Sequence, residues 1–85
     1  YSGQVDYISM DIDNNNVPYV FYQDMANNLK GTVQKFNGND WIVVGTAGFT
    51  TNKAKFTSIK LDNNNIPYVA YCDNNLKIQK FGLEF

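Results

Sequence analysis

The sequence predicts an all-β fold made of two copies of one small unit, and three observations carry that prediction. The chain repeats itself at an offset of 49 residues. Its apolar residues alternate with period two, and no stretch sustains a helical period. The segments between those runs are dense in Asn, Asp and Gly, the residues that turn a chain sharply. The repeat is visible by eye: residues 7–24 read YISMDIDNNNVPYVFYQD and residues 56–73 read FTSIKLDNNNIPYVAYCD. The match resumes downstream. There Asn27-Asn28-Leu29-Lys30 answers Asn74-Asn75-Leu76-Lys77, and Val33-Gln34-Lys35-Phe36 answers Ile78-Gln79-Lys80-Phe81. Chance similarity does not hold register in this way.

Each element follows from local chemistry. Tyr7 to Ile12 alternates, with Ile8, Met10 and Ile12 on one face and Tyr7, Ser9 and Asp11 on the other. Ile59 and Leu61 keep the outer end of that stripe in the second copy. Val17 to Tyr22 is rich in β-branched and aromatic residues, as a strand covered on both faces would be. Leu29 to Phe36 makes a third strand and Trp41 to Val44 a fourth. Pro18 and Pro67 stand at strand starts, where a missing N–H is tolerated. Asp13-Asn14-Asn15-Asn16, Asn27-Asn28 and Asn37-Gly38-Asn39-Asp40 are hairpin turns, since Asn and Asp accept the left-handed conformation and bond their own backbone. The second copy ends at Lys80-Phe81-Gly82-Leu83-Glu84-Phe85, before any matching Trp strand. The expectation is seven strands, with residues 1–49 as the first repeat and 50–85 as a truncated second.

A four-stranded antiparallel unit recurring about every 40–50 residues is the pattern of a β-propeller blade. The strings PYVFYQD, VQKFNGNDWIVVG and GFT also resemble the repeats of bacterial-type β-propellers, in which PYVxYxD, KFxGxxWxxVG and GFS recur blade after blade. The resemblance covers nearly the whole chain. It implies two propeller blades, the second incomplete, in a ring that typically needs about four to eight. Either copies of this chain complete the ring or further blades of a longer parent chain do. Short two-blade chains that assemble into sugar-binding propellers are a lectin plan of similar length, so the resemblance implies carbohydrate recognition.

Composition narrows the partners. Seven Lys against eight Asp and Glu give a net charge of −1, which supplies no basic field for nucleic acid or anionic lipid. No apolar run approaches the roughly 20 residues of a membrane span, and no signal peptide opens the chain. The first residue is Tyr1, which reads as a processed or excised piece of something larger. A chain of 85 residues buries only about 60–65% of its unfolded surface. One cysteine, Cys72, cannot form an internal disulfide, so stability is expected to come from neighbouring blades.

Candidate chemistry is sparse. Asp11, Asp13 and Asn15 have the D-x-D-x-N spacing that opens a calcium loop, but Tyr22 stands where such a loop needs its Glu. Tyr19 occupies the ninth position, where a propeller-type calcium loop wants a carboxylate, and Lys60 replaces Asp11 in the second copy. The Asn-rich segment therefore reads as a turn, and neither a metal nor another cofactor is expected. Cys72 has no histidine to activate it, so it reads as a small packed thiol. Tyr22-x-Asp24 and its copy Tyr71-x-Asp73 sit at equivalent strand ends, spaced around a ring and not facing one substrate, so no enzyme is expected. Each Asp capping a turn and each Tyr packing between blades is one account of the pair. A repeated ligand site is the other, since an aromatic face beside a carboxylate suits sugar C–H groups and hydroxyls. Trp41, the sole tryptophan, packs between blades or stacks on that ligand. The expected function is a non-enzymatic, lectin-like binding module, extracellular or at the cell surface. The alternative is a structural or protein-interaction scaffold, as a ring fragment or a β-rich filament.

Overall fold

The computed structural model describes residues 5–50, 52–72 and 74–81. Within them lie two antiparallel sheets, one of four strands and one of three. The first sheet runs in chain order: β1 (Val5–Ile12), β2 (Pro18–Asp24), β3 (Lys30–Phe36) and β4 (Trp41–Val43). The second holds β5 (Lys55–Leu61), β6 (Pro67–Cys72) and β7 (Leu76–Lys80), again in chain order. The seven strands fall where the alternation and turn residues put them. Among the described residues the one helical turn is a short 3-10 segment at Met25–Asn27. Among the described residues no helix is long and apolar enough to cross a membrane.

The turns form as their chemistry requires. The Asp13 carboxylate accepts from the backbone N–H of Asn15 at 2.8 Å and of Val17 at 2.9 Å, and Asn16 closes the turn at φ 64°. The second copy repeats this residue for residue. Asp62 accepts from Asn64 at 2.8 Å and Ile66 at 3.0 Å, and Asn65 sits at φ 62°. Asn tolerates this left-handed backbone better than most side chains do, which explains the third Asn of each tract. Both first strands also carry the same irregularity, at Tyr7 (φ 52°) and Phe56 (φ 53°), where pairing with the next strand shifts register.

Strand register sorts the side chains onto two faces of each sheet. Met10 lies opposite Val20 and Ile12 opposite Pro18, which sets a front face of the first sheet. Tyr19, Phe21 and Val33 point the other way and form its back. In the second sheet Ile59, Leu61, Val69 and Tyr71 make the front, and Tyr68, Ala70, Cys72, Leu76 and Ile78 the back. The core forms where the back of the first sheet meets the front of the second. Tyr19, Phe21 and Val33 pack there with Ile59, Val69 and Tyr71, closed by Ala54, Phe81 and the half-buried Phe49. Burial of each such large side chain contributes about 1.5–3 kcal/mol, so the contact between sheets dominates the stability of both.

Two details depart from the sequence reading. The stripe of Ile8, Met10 and Ile12 is bare, 61%, 59% and 51% exposed, whereas its copies Ile59 and Leu61 are buried and half-buried. The polar side of β1 faces the second sheet instead. There the Ser9 hydroxyl accepts from Ile59 N–H at 3.1 Å and the Asp11 carboxylate from Leu61 N–H at 2.8 Å. The second detail concerns β7. Leu76 pairs with Cys72 as Gly31 pairs with Gln23, so Leu76 is the counterpart of Gly31 and not of Leu29. Seven residues separate Gln23 from Gly31 and three separate Cys72 from Leu76, so the second connection is four residues shorter, and the matching Asn-Asn-Leu-Lys strings sit two residues out of strand register.

Candidate functional site

Tyr22 and Asp24 leave the end of β2 on the same side of the strand, and both are buried. The Asp24 carboxylate caps the 3-10 turn, accepting from Ala26 N–H at 3.1 Å. It also accepts from the Asn27 carboxamide at 2.7 Å and the Thr32 hydroxyl at 2.8 Å. Thr32 in turn accepts from Gly48 N–H at 2.8 Å, so one carboxylate ties β2, β3 and the segment that leaves the first sheet. The Tyr22 hydroxyl accepts from the Gln34 carboxamide at 2.9 Å. These contacts have the capping and packing geometry set out as one account of the motif.

The second copy differs in setting. Tyr71 lies in the core between the sheets, edge-on to Phe21 at 5.8 Å and to Phe49 at 6.1 Å. Its hydroxyl reaches Gln79 Oε1 at 3.4 Å, the counterpart of the Tyr22–Gln34 contact. Asp73 lies outside the described residues. Trp41 begins β4, 41% exposed, tilted against Phe36 with 5.4 Å between ring centroids. It follows the turn Asn37–Asp40, in which the Asn37 side chain accepts from the backbone N–H of Asn39 and Asp40. The structure therefore brings Tyr22 and Asp24 together and leaves Trp41 apart, on an accessible surface.

Electrostatics bear on two other groups. The Asp11 carboxyl is held below its usual range by the Leu61 N–H, then by the Ile12 N–H, with the charge of Lys60 adding to both. Burial pushes the Tyr19 phenol up, and the neighbouring Asp13 charge adds to that. Among the described residues no group of three or more His, Cys, Asp or Glu side chains is placed to share a metal ion. Asp13 spends its carboxylate on the turn.

One concave feature escaped the sequence reading. An open cleft of about 420 Å³ lies at the outer end of the second sheet, lined by Asn52, Lys53, Lys55, Phe56, Cys72 and Asn74. Of these only Cys72, a free half-buried thiol, drew notice from sequence. Repeat equivalence supplies the missing signal. In the first sheet the place of Cys72 belongs to Gln23, which is buried and donates to the Ala54 carbonyl at 3.0 Å. Leu29, the counterpart of Asn74 in the strand register, accepts from Ala54 N–H at 3.0 Å. The first sheet is thus filled, where the second has its cleft, by the segment that leads into the following sheet.

No protein-family model, curated protein or solved structure matches this chain.

Proposed function

We propose that this chain is a non-enzymatic binding module, a pair of adjacent β-propeller blades acting outside the cell or at its surface. The observation that carries this reading is the stack itself: two sheets of the same up-and-down order, joined back to front and made from one duplicated sequence. Carbohydrate is the ligand class we assign, with Trp41 as the platform. Trp41 directly follows Asn39 and Asp40, two exposed residues of the turn Asn37–Asp40. A ring face for sugar C–H groups next to amide and carboxylate partners for hydroxyls is the combination that holds a saccharide. Screening the whole chain against a glycan panel, with competition by free sugar, tests it. Saturable binding that weakens in Trp41→Ala supports the assignment, and no binding at millimolar sugar overturns it.

The burial of Tyr22, Asp24 and Tyr71 favours a second reading. Their polar atoms bond within the chain, so the repeated Tyr-x-Asp serves architecture, and the module works as a scaffold presented by its blades. A folded assembly that binds protein partners and no glycan supports that reading.

A further inference from the structure

Each sheet contributes one face to the contact within the molecule and leaves large apolar residues exposed on its other face. The front of the second sheet is covered by the back of the first. The front of the first sheet and the back of the second carry apolar residues at the corresponding positions, and several of these are exposed. We propose that the bare front of the first sheet docks on the bare back of the second sheet of another copy of this chain, repeating between molecules the contact made within one. This deepens the propeller and scaffold reading and rests on its stacked sheets, not on any ligand.

The front faces correspond position by position. Met10 and Ile12 stand where the second sheet has Ile59 and Leu61, and Val20 stands where it has Val69. Ile59 and Val69 are 3% and 1% exposed, so their environment defines what a covered front looks like. Met10 and Ile12, at 59% and 51%, present the same apolar surface to solvent. The back faces correspond as well. Tyr68, Ala70 and Ile78 take the places of Tyr19, Phe21 and Val33, down to a Lys ammonium 5.9 Å from the Tyr ring centroid in each sheet. Leu76 and Ile78 are each 72% exposed there.

The polar seams carry over too. Within the molecule Ser9 accepts from Ile59 N–H; Ser58 is the copy of Ser9 and meets the second copy's Met10 N–H in the same way. At the hairpin tips Asn14 donates its backbone N–H to the Asn65 side chain at 2.8 Å and its carboxamide to the Asn63 carbonyl at 2.8 Å. Asn63 and the second copy's Asn16 and Asn14 are the same residue types in the same roles. One contact does not carry over. Lys60 replaces Asp11, so the acceptor that the Asp11 carboxylate offers to the Leu61 N–H has no copy between molecules.

The cleft completes the correspondence. Its site in the first sheet is occupied by the segment around Ala54, whose copy is Val5. The cleft beside Cys72 and Asn74 is accordingly the seat for the start of β1 from the docked copy. Because a front meets a back, the contact never uses itself up, and the chain builds a closed ring or an open filament, not a two-fold dimer.

Solution mass tests this with the whole chain and two variants, Met10→Asp and Ile78→Asp, each checked by circular dichroism. Both residues are exposed in the single chain, so the charges act on docking and not on folding. The wild-type chain is expected at multiples of 9.7 kDa and each variant alone at that mass. An equimolar mixture of the variants is expected to form a heterodimer, since one keeps an intact back and the other an intact front. Misfolded variants cannot produce that rescue. A wild-type chain that stays monomeric at every concentration overturns the proposal and leaves the ligand assignment standing. Wild-type-like assembly by Ile78→Asp alone, or a mixture without heterodimer, also overturns it.

Discussion

The ring of Phe21 lies directly on the backbone of Gly31. A Cβ at residue 31 would stand 2.6 Å from Phe21 Cε1 and 3.0 Å from Thr50 Cγ2. The second sheet reverses this assignment, with Ala70 in the place of Phe21 and Leu76 in the place of Gly31. Bulk has moved from one strand to its neighbour, and the back face keeps an apolar filling in both copies. The duplication is thus conserved as volume on a face even where the residues differ.

Gly31→Ala is expected to destabilise the chain by about 1–3 kcal/mol, the usual cost of overpacking a filled site. Phe21→Ala is expected to cost about 3–5 kcal/mol, because a fully buried ring leaves a cavity. The combined Phe21→Ala/Gly31→Leu chain imitates the second sheet, and its loss should fall short of the sum of its parts. Denaturant unfolding of the two single variants and the pair reads this coupling. Strict additivity would mean that the two residues do not share one packing site.

The Asp24 carboxylate accepts from Ala26, Asn27 and Thr32. Asp24→Ala strands the buried Thr32 hydroxyl and removes the cap, so a loss of about 1–3 kcal/mol is expected. In a cycle with Thr32→Val the second substitution should cost less when the first is present. Glycan affinity of folded Asp24→Ala should equal that of the wild type. A folded variant that lost binding would return Asp24 to the ligand site.

Asp11 links acid stability to the contact between sheets. Its carboxyl is held low chiefly by the Leu61 N–H, so its folded pKa lies below the unfolded value of about 3.9. The stability it contributes is therefore fully present above that unfolded value and is lost as pH falls through the folded one. Asp11→Asn keeps an acceptor for the backbone but removes the titration. Its unfolding midpoint should fall less than that of the wild type between about pH 4 and pH 2. Parallel acid profiles for the two chains would show that other carboxyls carry the effect.

The strands and turns were legible because their causes are local. Alternation, a proline at a strand start and an Asx turn at Asp13 act within a few residues, and Asp62 repeats them. What escaped depends on a neighbour. Nothing in the string separates Met10 from Ile59, yet one is bare and the other covered, because among the described residues the first sheet packs on the front of the second. The slip of Leu76 against Gly31 was hidden by the Asn-Asn-Leu-Lys strings, which align best where strand pairing does not. The Tyr22-x-Asp24 motif favoured capping and packing by sequence, with sugar binding as the other account. Its hydrogen bonds to Ala26, Asn27, Thr32 and Gln34 have the capping geometry.

Those bonds separate the tyrosines from Trp41 in a single experiment. Tyr22→Phe removes the acceptor of the Gln34 carboxamide and should cost about 0.5–1.5 kcal/mol of stability. Tyr71→Phe should cost less, because its hydroxyl contact at 3.4 Å is long while its ring stays packed on Phe21 and Phe49. Neither change alters an exposed surface, so neither should move glycan affinity. Trp41→Ala does the reverse. Its ring is tilted against Phe36 and is 41% exposed, so the stability change should be about 0.5–1.5 kcal/mol. Loss of a stacking contact of that size weakens sugar binding by about twofold to twelvefold. Calorimetric titration of the three folded variants reads the contrast. Equal affinity for Trp41→Ala and wild type would remove Trp41 as the platform, and lost affinity in Tyr22→Phe would move the site to the end of β2.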